Sequence, residues 1–360
     1  APHDVNFLYQ QADVHIQLGD YLPALDLLEQ AMSRESGSAR LWAKHGQALR
    51  RLNRFEEALK SYTRAVELDP QYGWAWNGRG LALAELNRSE AALESFRKAS
   101  ACDSGDAWYW YNQGNELVRL ERFDESLEPL DQAIKLNPRH TESHAKRGQA
   151  LRRLGQFEEA LASYDRALAI NPRYAWAWQG RGIALEALSR REEALASYER
   201  ATEEDPRIVW YYANQIELLL DMNQLDEAMD VANRAMLMLP KNPVSWARRG
   251  QVLRRRGEHQ ASVESYQRAL ELDETYAWAW NGKGLAHAAL DQWEEAIAAG
   301  EMAVRYNPND IWFWHNLGNA FMGAGQYDRA VTTFEKALSF DPSNESLQLR
   351  LREALDKRDG

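Results

Sequence analysis

The sequence predicts an all-α solenoid of ten tandem helix pairs closed by a C-terminal helix. Three recurrences predict it. The stretch Trp74-Ala75-Trp76-Asn77-Gly78-Arg79-Gly80 returns as Trp176-Ala177-Trp178-Gln179-Gly180-Arg181-Gly182 and as Trp278-Ala279-Trp280-Asn281-Gly282-Lys283-Gly284, stepping 102 residues each time. Trp108-Tyr109-Trp110, Trp210-Tyr211-Tyr212 and Trp312-Phe313-Trp314 make a second series with the same step, 34 residues behind the first. Gly46 to Arg51 recurs as Gly148 to Arg153 and Gly250 to Arg255. A 34-residue unit nested in a 102-residue triplet is a repeat architecture, in which each unit packs on its neighbours and no single central core is needed.

With Pro70 as an end mark, units begin at Val5, Ala39, Gly73, Ala107, Thr141, Ala175, Val209, Pro243, Ala277 and Ile311. Ten units fill 5–344 without an insertion, and a capping helix and tail are expected over 345–360, leaving no segment for a catalytic domain. Within the second unit Trp42, Leu49 and Leu52, then Ala58, Leu59, Tyr62, Ala65 and Val66, have helical spacing. Asn53-Arg54 makes the turn between them. Glycines such as Gly46, Gly80, Gly114, Gly148, Gly182, Gly250, Gly284 and Gly318 on the first helix, and alanine at every equivalent of Ala65 on the second, mark where the two axes can approach closely. Pro70, Pro138, Pro172, Pro206, Pro240, Pro308 and Pro342 end second helices, because proline lacks the helical N–H and biases the preceding residue away from helix.

Departures from the pattern are local. The first unit carries Leu8, Ala12 and His15 at its marker positions, as a terminal repeat facing solvent would. Pro129 falls inside a second helix and is expected to bend or shorten it. Ile216 and Ala232 stand for the glycine and the aromatic of the unit from Val209, and Gly300 for the aromatic of the unit from Ala277, so looser or differently angled packing is expected there. Ser346 to Lys357 reads as one amphipathic helix, with Leu347, Leu351 and Leu355 at four-residue steps, that caps the last unit.

Trp42, Gly46, Ala58, Tyr62, Ala65 and Pro70, at their mutual offsets, resemble the tetratricopeptide repeat signature, and the resemblance runs in phase along nearly the whole chain. It implies a right-handed superhelix whose first helices line a concave groove. Positions 2, 5, 9, 12 and 13 of each unit share one face of the first helix, separate from the face with Trp42, Gly46 and Leu49. Lysine never occupies position 5, which disfavours the carboxylate clamp by which some members of that family hold a chaperone C-terminus.

That face predicts the candidate binding residues. Position 2 carries Trp74, Trp108, Trp176, Trp210, Trp278 and Trp312, and the units between carry Arg50-Arg51, Arg152-Arg153 and Arg254-Arg255 at positions 12 and 13. Asn77, Tyr111, Asn115, Gln149, Gln179 and Asn281 supply hydrogen-bonding groups, with Gln47, Gln251, His315 and Asn319 in similar places. Trp, Tyr and Arg dominate interface hot spots because they bury much area and keep donors at their edges. Two readings stand at this point: the tryptophans anchor a partner or wedge between units, and the arginines meet a partner's acidic side chains or pair along their own helices with residues such as Glu56-Glu57. Trp74 is expected to face the groove and to matter more for binding than for folding. Tryptophan at position 4 (Trp42, Trp76, Trp110, Trp178, Trp246, Trp280 and Trp314) is expected to be structural.

The chain of 360 residues has a net charge of −11, which argues against broad nucleic-acid binding. Its single cysteine, Cys102, allows no internal disulfide and reads as a small buried filler. No segment is apolar enough to cross a bilayer and no leader layout is present, so no membrane partner and a cytoplasmic location are expected. His140 and His144 have metal-compatible spacing but no evident third ligand, and Gly78-Arg79-Gly80 lacks the strand and the Lys-Ser/Thr of a phosphate loop. The expectation is therefore a non-enzymatic scaffold without cofactor, binding an extended peptide or a helix of a protein partner, with acidic side chains on that partner. The alternatives are a solenoid that self-associates through terminal units or its convex side, and a regulatory or substrate-recruiting part of a larger enzyme.

Overall fold

The computed structural model describes residues 4–360, and helix is the only regular secondary structure among them. They form two compact units, one up to Arg190 and one from Arg191. In the first unit, first helices α1 (Val5–Leu18), α3 (Ala39–Arg51), α5 (Gly73–Glu85), α7 (Ala107–Arg119) and α9 (Thr141–Arg153) alternate with second helices α2 (Tyr21–Met32), α4 (Phe55–Leu68), α6 (Ser89–Cys102), α8 (Phe123–Leu136) and α10 (Phe157–Ile170), and α11 (Ala175–Ala187) follows. The second unit opens with α12 (Arg191–Glu204). First helices α13 (Val209–Asp221), α15 (Pro243–Arg255), α17 (Ala277–Ala288) and α19 (Ile311–Gly323) then alternate with second helices α14 (Leu225–Met238), α16 (His259–Leu272), α18 (Trp293–Tyr306) and α20 (Tyr327–Leu338), and α21 (Glu345–Asp359) packs on α20. The chain is an α-solenoid.

Two kinds of turn set the period. Between the helices of each pair one residue adopts the left-handed conformation, with φ between 57° and 86° at Gly19, Asn53, Asn87, Glu121, Gly155, Ser189, Asn223, Gly257, Asp291 and Gly325. It ends the first helix and redirects the chain, and glycine or asparagine tolerates it at least cost. Between pairs an Asp or Asn side chain accepts the backbone N–H two residues on, as Asp69 does from Gln71 at 3.0 Å and Asn171 from Arg173 at 3.1 Å. Such a side-chain turn just ahead of proline gives the next first helix a fixed start.

Packing follows from small residues opposed to rings. A Cβ at Gly80 would sit 2.5 Å from Phe96 Cε1, and one at Gly318 would sit 2.4 Å from Phe334 Cε1. Tyr62 is held on two sides, since a Cβ would approach it to 3.0 Å from Gly46 of its own repeat and to 2.2 Å from Gly78 of the next. Gly148, Tyr164 and Gly180 repeat that arrangement, as do Gly250, Tyr266 and Gly282. The position-4 tryptophans tie successive repeats: each indole N–H donates to a loop carbonyl six residues earlier, from Trp76 to Pro70 at 2.9 Å, and likewise from Trp42, Trp110, Trp178, Trp246, Trp280 and Trp314. His144 stands in this place against the Pro138 carbonyl at 3.1 Å, and Gln348 of α21 bonds the Pro342 carbonyl at 2.8 Å.

Two local expectations are corrected. Pro129 does not shorten α8, which spans the same 14 residues as α4 and α6. The missing N–H removes one hydrogen bond, while fully buried Leu130 and Ala133 hold the rest of the helix in place. Cys102 is half-buried at the end of α6, with its thiol 3.5 Å from the Pro70 carbonyl oxygen. The unit from Val209 is looser as expected: α13 and α14 touch over less of their length than pairs such as α5 and α6, with buried Ile216 at the glycine position and buried Ala232 at the aromatic one.

Two substitutions test this packing. Gly78→Ala is expected to destabilise the protein by about 1–3 kcal/mol through overpacking against Tyr62. Gly37→Ala, where nothing lies within 4 Å, is expected to show no such loss, and urea denaturation followed by far-UV circular dichroism compares the two. Trp76→Phe keeps a ring but removes the bond to Pro70, so the same measurement should show a loss of about 0.5–1.5 kcal/mol.

Candidate partner-binding face

Within each unit successive first helices touch one another, so their side chains form a continuous row. In the first unit that row carries two copies of one cluster. Tyr62 is buried on α4, with the Arg50 guanidinium close enough to act on its phenol. The Trp74 ring stacks on Tyr72 with centroids 5.9 Å apart, meets Tyr62 edge-on at 6.3 Å, and carries the Lys44 ammonium 5.3 Å from its centroid. Tyr164, Arg152, Trp176, Tyr174 and Lys146 repeat the cluster, with Lys146 at 4.8 Å from the Trp176 ring. The second unit holds a third copy in Tyr266, Arg254, Trp278, Tyr276 and Arg248, with Arg248 4.8 Å from the Trp278 ring. Burial pushes the Tyr266 phenol up to about 12 and raises Tyr62 and Tyr164 likewise, against the opposing pull of the nearby arginine, so all three hydroxyls are neutral at physiological pH and face the guanidinium as acceptors.

The structure divides the position-2 tryptophans into two sets. Trp108, Trp210 and Trp312 are 53%, 55% and 68% exposed, whereas Trp74, Trp176 and Trp278 are half-buried in the clusters above. The residue two before the ring explains the difference. Before Trp74 and Trp278 it is Tyr72 or Tyr276, which covers the indole. Before Trp108 and Trp312 it is Asp106 or Asp310, which caps the helix by accepting the tryptophan's own backbone N–H at 2.7 and 2.9 Å. Trp74 is thus half-buried and packed between Tyr72 and Tyr62. Trp108 remains open to solvent, although its ring meets His140 at 4.5 Å and Tyr111 at 5.8 Å.

The arginine pairs also separate. Arg50, Arg152 and Arg254 are drawn inward to the tyrosine hydroxyls, and the Nε of each is buried without an acceptor. Arg51, Arg153 and Arg255 are exposed. Arg153 reaches Glu121 at 3.1 Å and lies over the Phe123 ring, while Arg255 donates to the Leu220 carbonyl at 3.1 Å, so both bridge to the preceding repeat instead of pairing with the acidic residues that follow them. Asn77 and Asn281 are engaged as well, accepting from Asn112 at 2.7 Å and Asn316 at 2.9 Å in the next repeat. Asn115, Gln149 and Gln179 are half-buried on the same row.

The sequence reading missed Tyr72, Tyr174 and Tyr276, the hydroxyls of Tyr62, Tyr164 and Tyr266, and the cations Lys44, Lys146 and Arg248. All recur at the same 102-residue step, so the period that singled out the tryptophans also marks them. At the end of the second unit a cleft of about 360 Å³ lies between α19 and α21, lined by Trp312, His315, Asp341, Asn344 and Leu347 among others. Among the described residues no group of three or more His, Cys, Asp or Glu is placed to hold a metal ion, and no helix is long and apolar enough to cross a membrane.

Tetratricopeptide repeat models match residues 9–73, 43–107, 111–175, 151–213 and 311–344, and a TPR repeat model matches 250–291. No curated protein matches the sequence. Among solved structures, that of yeast Tom70 is similar with a TM-score of 0.55 and 14% identity, over 98% of this chain and 95% of that one. The Cut9-Hcn1 hetero-tetramer of the APC/C matches with a TM-score of 0.53 and 15% identity, over 98% and 90% of the two chains. YrrB, described as a TPR protein with an unusual peptide-binding site, is 26% identical over 52% of this chain and 97% of its own, with a TM-score of 0.46. Matches over most of the chain, within 9–213, 250–291 and 311–344, on a chain built of tandem helix pairs show that it belongs to the tetratricopeptide repeat family.

Proposed function

We propose that the chain is a protein-interaction scaffold that holds an extended peptide or a helix of its partner, bearing acidic side chains, on the row of first helices. The observation that carries this reading is the exposure of Trp108, Trp210 and Trp312. Indole rings are among the costliest side chains to leave in water, and a partner that covers them gains area and a donor at each site. Arg51 supplies exposed positive charge on the first unit's row, and Arg153 and Arg255 are exposed beside their contacts to the preceding repeat, each suited to carboxylates through the planar guanidinium. Aromatic burial holds the ligand, and the charges set its register and rate of encounter.

Peptides of about 15 residues, a length spanning several repeats in extended form, selected from a random display library, test the reading. The selected sequences are expected to be enriched in Asp and Glu. In fluorescence titration, Trp108→Ala is expected to weaken peptides held on the first unit, and Trp312→Ala those held on the second, tenfold or more, about 1.4 kcal/mol, with an unchanged melting curve. Unchanged affinity in both folded variants sinks the proposal.

A further inference from the structure

The three clusters are not equivalent at their cation. Lys44, Lys146 and Arg248 occupy one position of the second, fifth and eighth repeats, and each donates to a glutamine three residues on: Gln47 at 3.2 Å, Gln149 at 3.2 Å and Gln251 at 2.8 Å. In two copies a carboxylate from the preceding repeat, 31 residues earlier, completes the site. Asp13 lies 2.6 Å from Lys44, and Glu217 lies 2.8 Å from Arg248. In the middle copy the residue 31 positions before Lys146 is Asn115. Glu142, one turn before Lys146 on α9, lies 3.6 Å from His140 instead.

Lys146 is therefore a half-buried ammonium on an indole face, with a neutral amide where its counterparts have an anion. Its pKa is held below the usual lysine range by burial, with no carboxylate opposing the shift. A partly buried charge with no anion beside it is costly, and an anion delivered from outside lowers that cost. The outer copies show what geometry the anion takes, because Asp13 and Glu217 already fill it.

We infer that Lys146 is the subsite for one acidic side chain of the bound partner, whose carboxylate takes the place that Asp13 and Glu217 occupy beside Lys44 and Arg248. The inference rests on the reading of the first-helix row as the binding face. The outer two sites are satisfied internally, so the three-repeat pattern presents one open site where sequence periodicity alone would count three.

The test is a fluorescence-anisotropy titration at low salt with a labelled hexaglutamate peptide, using the full chain and three variants checked for folding by circular dichroism. Lys146→Gln removes the cation and Asn115→Asp supplies the internal carboxylate, so each is expected to weaken binding about fivefold or more, about 1 kcal/mol. Asp13→Asn frees Lys44 and is expected to strengthen binding. Peptide bound equally by the wild type and Asn115→Asp overturns the assignment of Lys146 and leaves the binding face standing. Peptide bound by none of the four proteins overturns the acidic-partner reading together with it.

Discussion

The arrangement depends on one steric fact, that an aromatic ring on a second helix is received by glycine on the first. Tyr62 lies against Gly46 of its own repeat and Gly78 of the next, and no side chain larger than hydrogen fits at 2.2 Å from its ring. The second contact joins neighbours, so this ring fixes the helix pair and the stacking of one pair on another at once. It also aims the tyrosine hydroxyl at Arg50 and brings Trp74 against the ring edge. In Phe96 and Phe334 the same position lacks a hydroxyl, so those repeats keep the packing without the polar tip.

Much of the fold was legible because its determinants are local in sequence. Gly46 and Tyr62 are 16 residues apart, and their sizes alone say that two helices meet there. The turn at Asn53 and the stop before Pro70 are read from the intrinsic preferences of those residues. The candidate face was less legible. Trp74 and Trp108 occupy the same position of consecutive repeats and look alike in a single-position reading, yet one is covered by Tyr72 and the other stands open above Asp106. Which tryptophan is free is a property of residue pairs, so a position-by-position pass cannot find it. Arg50 misled for the same reason, since its direction is set by a hydroxyl on another helix.

Charge is handled in the same paired manner. The net charge of −11 gives no hint of the cations on the first helices, several of which are matched at short range by the preceding repeat: Asp13 to Lys44, Glu121 to Arg153, Glu217 to Arg248. Neutralisation across the joint between repeats turns electrostatics into a register device. Where one partner of such a pair is changed, as at Asn115, the stacking persists and the unmatched charge becomes available.

The bond from each position-4 indole to the loop six residues earlier gives the array a direction. The loop that ends one repeat is fastened by the first helix of the following repeat, as Pro70 is by Trp76 and Pro308 by Trp314. Every loop so fastened depends on what comes after it in the chain, and the last dependence is met by Gln348. Synthesis from the N-terminus therefore leaves the newest loop unfastened until the next helix emerges, so order spreads along the chain one repeat behind its growing end.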